Sequence, residues 1–321
     1  MKKTIAVLAG DGIGQEVMPL ALNILCTISE KFNHTFIIEE GDIGGVAFEK
    51  YGTHFPEKTC QLCQTSDAVL LGSVGGPVEE AHLPKWQNCE KNSLLALRKT
   101  LELSANLRPV SVYPSLTASC PLKDHLIKNG IDILIVRELI GDIYFGEHRT
   151  WQQGGIRYAT DVAEYHEQQI SNVAHRAFQL ARQRRKKLTS VDKANVLDTS
   201  KLWREVVTEI ARQYPDVKLE HMLVDNCAMQ LIINPAQFDV ILTANLFGDI
   251  LSDAAAALPG SLGLMPSASL NQQGFGLYEP AGGSAPAIAG KNIANPIAQI
   301  LSAAMMLNYS FHLTTEATAI E

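Results

Sequence analysis

Thr4-Ile5-Ala6-Val7-Leu8-Ala9-Gly10-Asp11-Gly12-Ile13-Gly14-Gln15 is the stretch from which the fold can be read. Residues 4–9 are an unbroken run of small and β-forming apolar side chains, the pattern of a strand buried on both faces. Three glycines follow, and residues 15–32 then carry apolar positions at helical spacing. Strand, glycine turn and helix make the opening of an α/β unit, and the rhythm recurs. Strands are expected at 36–40, 68–72, 108–113, 131–136, 188–191 and 238–243. Helices are expected at 15–32, 94–103, 164–187, 201–214 and 248–257. This alternation predicts an α/β fold with mainly parallel pairing. The glycine turn itself is not a dinucleotide fingerprint. Gln15 stands where the last glycine of G-x-G-x-x-G belongs, so a Rossmann reading on this motif is rejected.

The 321 residues are 46% apolar and carry a net charge of −7. That length points to about two domains with a sizeable core. The acidic balance gives no global attraction for nucleic acid. The basic run 182–187 is expected to close the long helix, where cations suit the helix dipole. No aromatic residues interleave with it, so it does not read as a nucleic-acid surface. Among six cysteines, Cys60 and Cys63 form the one C-x-x-C. With no second pair and no histidines following, they read as reduced helix thiols, not a zinc site. No segment reads as a signal peptide or membrane span, and a cytoplasmic chain is expected.

One stretch breaks the rhythm. Residues 141–165 contain Ile143-Tyr144-Phe145, a Gly154-Gly155 pair, then Ile156-Arg157-Tyr158. This is a hairpin pattern with no helix attached: either an arm pairing outside its own domain or an ordinary surface hairpin.

Chemistry in open α/β folds collects beyond the carboxyl ends of strands. There stand Arg137, Lys193, Asn195, Asn245, Asp249 and Asp253. Asp249 and Asp253 are four apart on one face of a helix expected to be largely buried. Like charges at that spacing repel, so the pair either faces solvent or holds a hard cation, Mg2+ or Mn2+, with Asp225 as a possible third oxygen ligand. Arg98, Arg108 and Arg137 sit among apolar residues and need partners. They are suited to carboxylates of a substrate, or to internal acids such as Glu102 and Glu138. Tyr144 and Lys193 are candidate proton carriers.

Together, GDGIGQEV from Gly10, GSVGGP from Gly72, LRKTLELSANLRP from Leu97, VRELIGDIYFGE from Val136, VDKANVL from Val191, NLFGDILSDAAAALPGSLGLMPSASL from Asn245 and YEPAGGSAPAIAGKNIANP from Tyr278 resemble the isocitrate/isopropylmalate dehydrogenase family over nearly the whole chain. The resemblance implies an isopropylmalate dehydrogenase-like fold. Its two α/β domains would be a cofactor domain of 1–103 plus 260–321 and a substrate and dimerisation domain of 104–259, with 141–165 as an intersubunit β arm. It implies a homodimer with shared active sites and NAD-dependent oxidative decarboxylation of 3-isopropylmalate, in leucine biosynthesis. By the same resemblance, Asp225, Asp249 and Asp253 hold Mg2+ or Mn2+, with Asp225 and Lys193 reaching in from the partner. Arg98, Arg108 and Arg137, together with Asp225, bind substrate, and Leu94 and Leu95 receive the isopropyl group. Lys193 and Tyr144 carry protons. NAD falls to Gly76, Pro77, Glu90, Glu279, Gly283, Ser284, Ala285, Pro286, Ala287, Ile288 and Asn295.

The sequence departs from the family pattern at Ala287, where an Asp for the adenosine ribose is usual. With no cation expected beside it, NAD remains the expected cofactor. Further departures are Gln15, usually Pro; Ile140, usually Thr; and Asp142, often Gly. Family members continue several dozen residues past the position of Glu321. Two alternatives follow: an enzyme for another malate-type acid such as tartrate or homoisocitrate, against which Leu94-Leu95 argues, and an inactive homologue that keeps the dimer fold.

Overall fold

The computed structural model describes residues 1–321. In chain order, the first part holds β1 (Lys2–Gly10), α1 (Gly14–Phe32), β2 (Thr35–Glu40), α2 (Gly45–Tyr51), α3 (Glu57–Thr65), β3 (Ala68–Ser73) and α4 (Ala96–Thr100). The middle part holds β4 (Ala105–Ser111), α5 (Asp124–Ile127), β5 (Asp132–Glu138), β6 (His148–Gln153), β7 (Ile156–Asp161), α6 (Glu167–Gln183), β8 (Lys187–Asp192), α7 (Asp198–Ala211), β9 (Lys218–Leu223), α8 (Val224–Ile233), β10 (Val240–Thr243) and α9 (Asn245–Ala256). The chain ends with β11 (Pro266–Leu270), β12 (Gly276–Pro280), α10 (Ile297–Tyr309) and α11 (Thr314–Ile320). Two compact units result, Met1–Leu103 with Ser261–Glu321, and Ser104–Gly260.

In the first unit the strand order is β2-β1-β3-β12-β11, parallel except for the β11/β12 pair. β3 is buried at every position, as a central strand covered on both faces must be. α1 lays Val17, Met18, Ala21, Leu25 and Ile28 against this sheet. The carboxylate of Asp11, 1% exposed, ties the turn after β1 to its surroundings by accepting from Gly45 N, Val46 N and Gly75 N, each at 2.9 Å.

In the second unit the order is β4-β5-β10-β8-β9, with β4 antiparallel to β5 and the rest parallel. The hairpin β6/β7 forms a sheet of its own. Gly154 and Gly155 have φ of +57° and +80°, the left-handed pair that a two-residue hairpin turn demands. Every residue of β7 is exposed.

The expected helix at 164–187 is shorter. A capping box between His166 and Gln169 starts α6 at Glu167, and α6 ends at Gln183. Of the basic run only Arg182 lies in the last turn of α6, and residues 184–186 form the turn that follows. Lys186 is left-handed and Lys187 begins β8. Arg182 bonds Asp216, and Arg184 bonds Asp239, each at 2.8 Å. These cations fasten the turn between α6 and β8. α9 is also less buried than its composition predicts, since Ile250 is 58% exposed on one side of it. Cys60 and Cys63 both lie on α3, unpaired, and burial pushes the Cys63 thiol up to about 12. No helix is long and apolar enough to cross a membrane.

Candidate active site

The carboxyl end of β5 faces the first turns of α9, and the chemistry of the second unit collects there. Arg137, the penultimate residue of β5, donates through Nε to Asn245 Oδ1 at 3.0 Å and through Nη1 to Asp249. Tyr144 donates its hydroxyl to the other oxygen of Asp249 at 2.7 Å. Arg108 on β4 reaches Asp253 and Ser252 through Nη1 at 2.9 and 2.7 Å, and Asn106 through Nε at 3.0 Å. Two buried guanidiniums and one phenol thus meet two carboxylates one helical turn apart. Burial, then the contact with Asp249, pushes the Tyr144 phenol up to about 12, so it stays protonated as a donor.

The expected internal acids are not the partners of these arginines. Glu138 lies at 0% exposure and accepts instead from Ile140 N at 2.8 Å, Gly141 N at 2.9 Å and the Tyr165 hydroxyl at 2.9 Å. The Tyr165 oxygen in turn accepts from Asn245 N at 2.9 Å. Glu138, Tyr165, Asn245 and Arg137 form a continuous hydrogen-bonded path to Asp249. Burial pushes the Glu138 carboxyl up to about 7, against its three donors. Beside it, Asp142 has φ +68°, a left-handed conformation that costs a residue with a side chain about 1 kcal/mol.

Lys193 and Asp225 form a second pair, 2.5 Å apart, at the ends of β8 and β9. The Lys193 ammonium holds Asp225 below the usual carboxylate range. No group of three His, Cys, Asp or Glu side chains lies together within one chain. Asp225, Asp249 and Asp253 are therefore not brought to one point by a single copy. The donor set on α9 nonetheless suits a hard cation, because it offers only oxygens and keeps Asp249 and Asp253 open, at 34% and 64% side-chain exposure. The two carboxylates and two guanidiniums cancel in charge, so a divalent cation and a dianionic substrate together would leave the cluster neutral.

In the first unit, Arg98 on α4 donates to Glu279 on β12 at 2.9 Å, and its Nε is buried without a partner. Leu94 and Leu95 are half-buried on a π-helical turn, Lys91–Leu95, directly before α4. Such widened turns recur at functional sites. Gly76 lies against the Trp86 ring, which a Cβ there would strike at 2.2 Å. Pro77 precedes a short 3-10 turn, and Glu90 is exposed with its Oε1 close to Gly75.

The loop 283–295 packs on the turn after β1. Ile13 N donates to Ser284 O at 2.9 Å, and Glu16 accepts from Gly290 N and Asn292 N. A Cβ on Gly12 would lie 2.1 Å from Ser284 O, so this glycine serves backbone contact. A cavity of about 330 Å3 opens beside the loop, lined by Gly283, Ala285, Ile288 and Asn295 with Ile13 and Leu262. It is within the range of small-molecule sites and fits part of a dinucleotide. Ser284 is buried, while Pro286 and Ala287 are exposed. The expectation of no cation beside position 287 is corrected: Lys291 Nζ donates to Ala287 O at 2.7 Å.

A protein-family model described as isocitrate/isopropylmalate dehydrogenase matches residues 4–321. The chain belongs to the isocitrate/isopropylmalate dehydrogenase family. It is 56% identical to the 3-isopropylmalate dehydrogenase of Desulfotalea psychrophila, over 99% of this chain and 89% of that one. It is also 56% identical to the 3-isopropylmalate dehydrogenase of Escherichia coli K12, over 99% and 87%. The crystal structure of isocitrate dehydrogenase from Methylococcus capsulatus superposes with a TM-score of 0.86 at 33% identity, covering 98% of this chain and 88% of that one.

Within this family fold, the structure groups Arg108, Arg137, Tyr144, Asp249 and Asp253, and separately Lys193 with Asp225 and Arg98 with Glu279. Sequence reasoning missed Tyr165 and the role of Glu138. The available signal was the sequence Arg137-Glu138, where alternate residues of a strand require separate partners. Between about pH 4.5 and 7 the folded state keeps the Glu138 proton that the unfolded chain loses. Stability is thus present below 4.5 and falls as pH rises through about 7, by about 3 kcal/mol from this group. Urea unfolding across that range should show this decline in the parent and a flatter curve in Glu138→Gln; equal slopes would refute it.

Proposed function

We propose that this chain catalyses NAD-dependent oxidative decarboxylation of 3-isopropylmalate to 2-oxoisocaproate, a step of leucine biosynthesis, as a cytoplasmic homodimer. The convergence of Arg108, Arg137 and Tyr144 on Asp249 and Asp253 carries this reading. The likeness to 3-isopropylmalate dehydrogenases over 99% of the chain supports the substrate. Leu94 and Leu95 give the isopropyl group apolar contact.

Arg98, Arg108 and Arg137 hold the substrate carboxylates. Lys193 helps to remove the proton of the substrate hydroxyl. The 283–295 loop, with Gly76, Pro77, Glu90 and Glu279, would hold NAD, which would supply the hydride acceptor. The carboxylate β to the new ketone then leaves as carbon dioxide, and its bonding electrons become an enolate. Tyr144 gives its proton to the enolate carbon. Mg2+ or Mn2+ held by Asp225, Asp249 and Asp253 would supply Lewis acidity for the hydroxyl and enolate oxygens. Lys193 and Asp225 serve the site of the neighbouring copy, and the β6/β7 hairpin pairs across the dimer.

Steady-state NADH formation tests the reading. The rate should be highest with 3-isopropylmalate among malate-type acids, vanish in excess chelator and return with Mg2+ or Mn2+. Undiminished turnover in chelator would refute the metal, and faster turnover of tartrate or homoisocitrate would refute the substrate.

Sharing of sites makes a separate prediction. Chains carrying Lys193→Ala and chains carrying Asp249→Ala, each inactive alone, should recover activity when mixed into heterodimers, because one of the two sites becomes whole. Proven heterodimers without activity would place Lys193 and Asp249 in the same copy's site.

At the ribose, a carboxylate accepting a hydroxyl proton contributes about 1.5–3 kcal/mol, so its absence weakens NAD by roughly 10- to 100-fold. With Lys291 at the Ala287 carbonyl, discrimination against a 2′-phosphate is softened further. Ala287→Asp should tighten NAD at least several-fold and weaken NADP. Titration of both cofactors checks this, and equal NAD affinities would place the ribose elsewhere.

A further inference from the structure

α9 begins without a cap of its own. Its N-cap residue is Ala244, which offers no side-chain acceptor. The first two N–H groups of the helix are satisfied from another segment of the same unit. Asn245 N donates to the Tyr165 hydroxyl at 2.9 Å, and Leu246 N donates to Asp142 Oδ2 at 3.0 Å. The Asp142 carboxylate is thus a helix cap supplied from a distant segment, at the end where negative charge is favoured.

The same residue organises the turn that carries Tyr144. Asp142 Oδ1 accepts from Ile143 N at 2.9 Å. The Asp142 carbonyl accepts from Phe145 N at 3.2 Å and Gly146 N at 3.1 Å, and its own N donates to Glu164 O at 3.0 Å. Side chain and backbone together make Asp142 the joint between this turn and α9. Tyr144, two residues on, meets Asp249, one turn further along α9. Asp142 is 9% exposed, so water does not readily replace its bond to Leu246 N.

We propose that Asp142 is a positioning residue for the final proton transfer: by fastening the Tyr144 turn to the first turn of α9, its carboxylate sets where the Tyr144 hydroxyl stands. The proposal rests on the reading of Tyr144 as the group that protonates the enolate carbon. A glycine at 142 adopts the left-handed backbone freely but cannot make the tie. An asparagine keeps an acceptor oxygen and tolerates the conformation.

The test compares the parent, Asp142→Gly, Asp142→Asn and Tyr144→Phe, all with 3-isopropylmalate, NAD and Mg2+ or Mn2+. Alongside kcat and KM, the reaction is run in D2O. The 2-oxo product is reduced in place, and the stereochemistry of deuterium at the newly protonated carbon is read. Asp142→Gly should lower kcat about tenfold, leave KM within about twofold and scramble the deuterium. Asp142→Asn should recover most of the rate and the stereochemistry. Leu246→Pro removes the same bond from the donor side, in a first helical turn where proline is tolerated. It should reproduce the glycine pattern, and it carries the test if Asp142→Gly does not fold. Parent rate and stereochemistry in either folded variant would overturn the positioning role. If Tyr144→Phe itself keeps the parent stereochemistry, the assignment of Tyr144 fails, and the positioning role fails with it.

Discussion

The contact on which the second unit's chemistry depends is the one between Arg137 and Asp249. Arg137 is the penultimate residue of a strand whose last six residues are all buried, and a guanidinium in that setting requires several acceptors at once. Asn245 and Asp249, four residues apart on α9, provide two of them. Asn245 can do so because its own amide is held by Gly141 O and its backbone N by Tyr165. Tyr165 is held by Glu138, and Glu138 by two backbone donors. The orientation of one exposed-edge carboxylate is thus fixed by a path that runs entirely through buried groups, where each bond is stronger than in water and each omission more damaging.

Burial also explains why acidity is distributed as it is. Glu138 and Tyr144 both hold their protons more tightly than free side chains do, chiefly through loss of solvent. Asp225, exposed and paired with Lys193, is shifted the opposite way. A protonated phenol, a carboxylate pair beside guanidiniums and a separate lysine–aspartate pair therefore coexist in one unit without competing for the same protons.

Much of this was legible in the sequence. The alternation of apolar runs with amphipathic segments gave the α/β class, and the i, i+4 spacing of Asp249 and Asp253 marked the helix face. The glycines at 154 and 155 marked the hairpin. What was not legible has physical causes. The extent of α9 burial could not be read from Phe247, Ile250 and Leu251, because an apolar composition does not reveal which side of a helix lies open. The end of α6 was missed because Arg182, Arg184 and Arg185 are acceptable both in a last helical turn and in a turn held by Asp132, Asp216 and Asp239. The partner of Arg98 was hidden by distance along the chain, since Glu279 lies 181 positions away. Lys291 beside Ala287 was hidden by the tight turn of a loop that has no periodic pattern.

The β6/β7 hairpin is rooted in the helix end that carries the site. Its two ends leave the body of the unit beside Asp142 and Tyr165, and these are the residues that hold the first two amides of α9. Everything between them projects as β6 and β7 around a two-glycine tip. The base of the projection is therefore part of the helix end, and a displacement of either strand at its root would reach the amides of Asn245 and Leu246 directly.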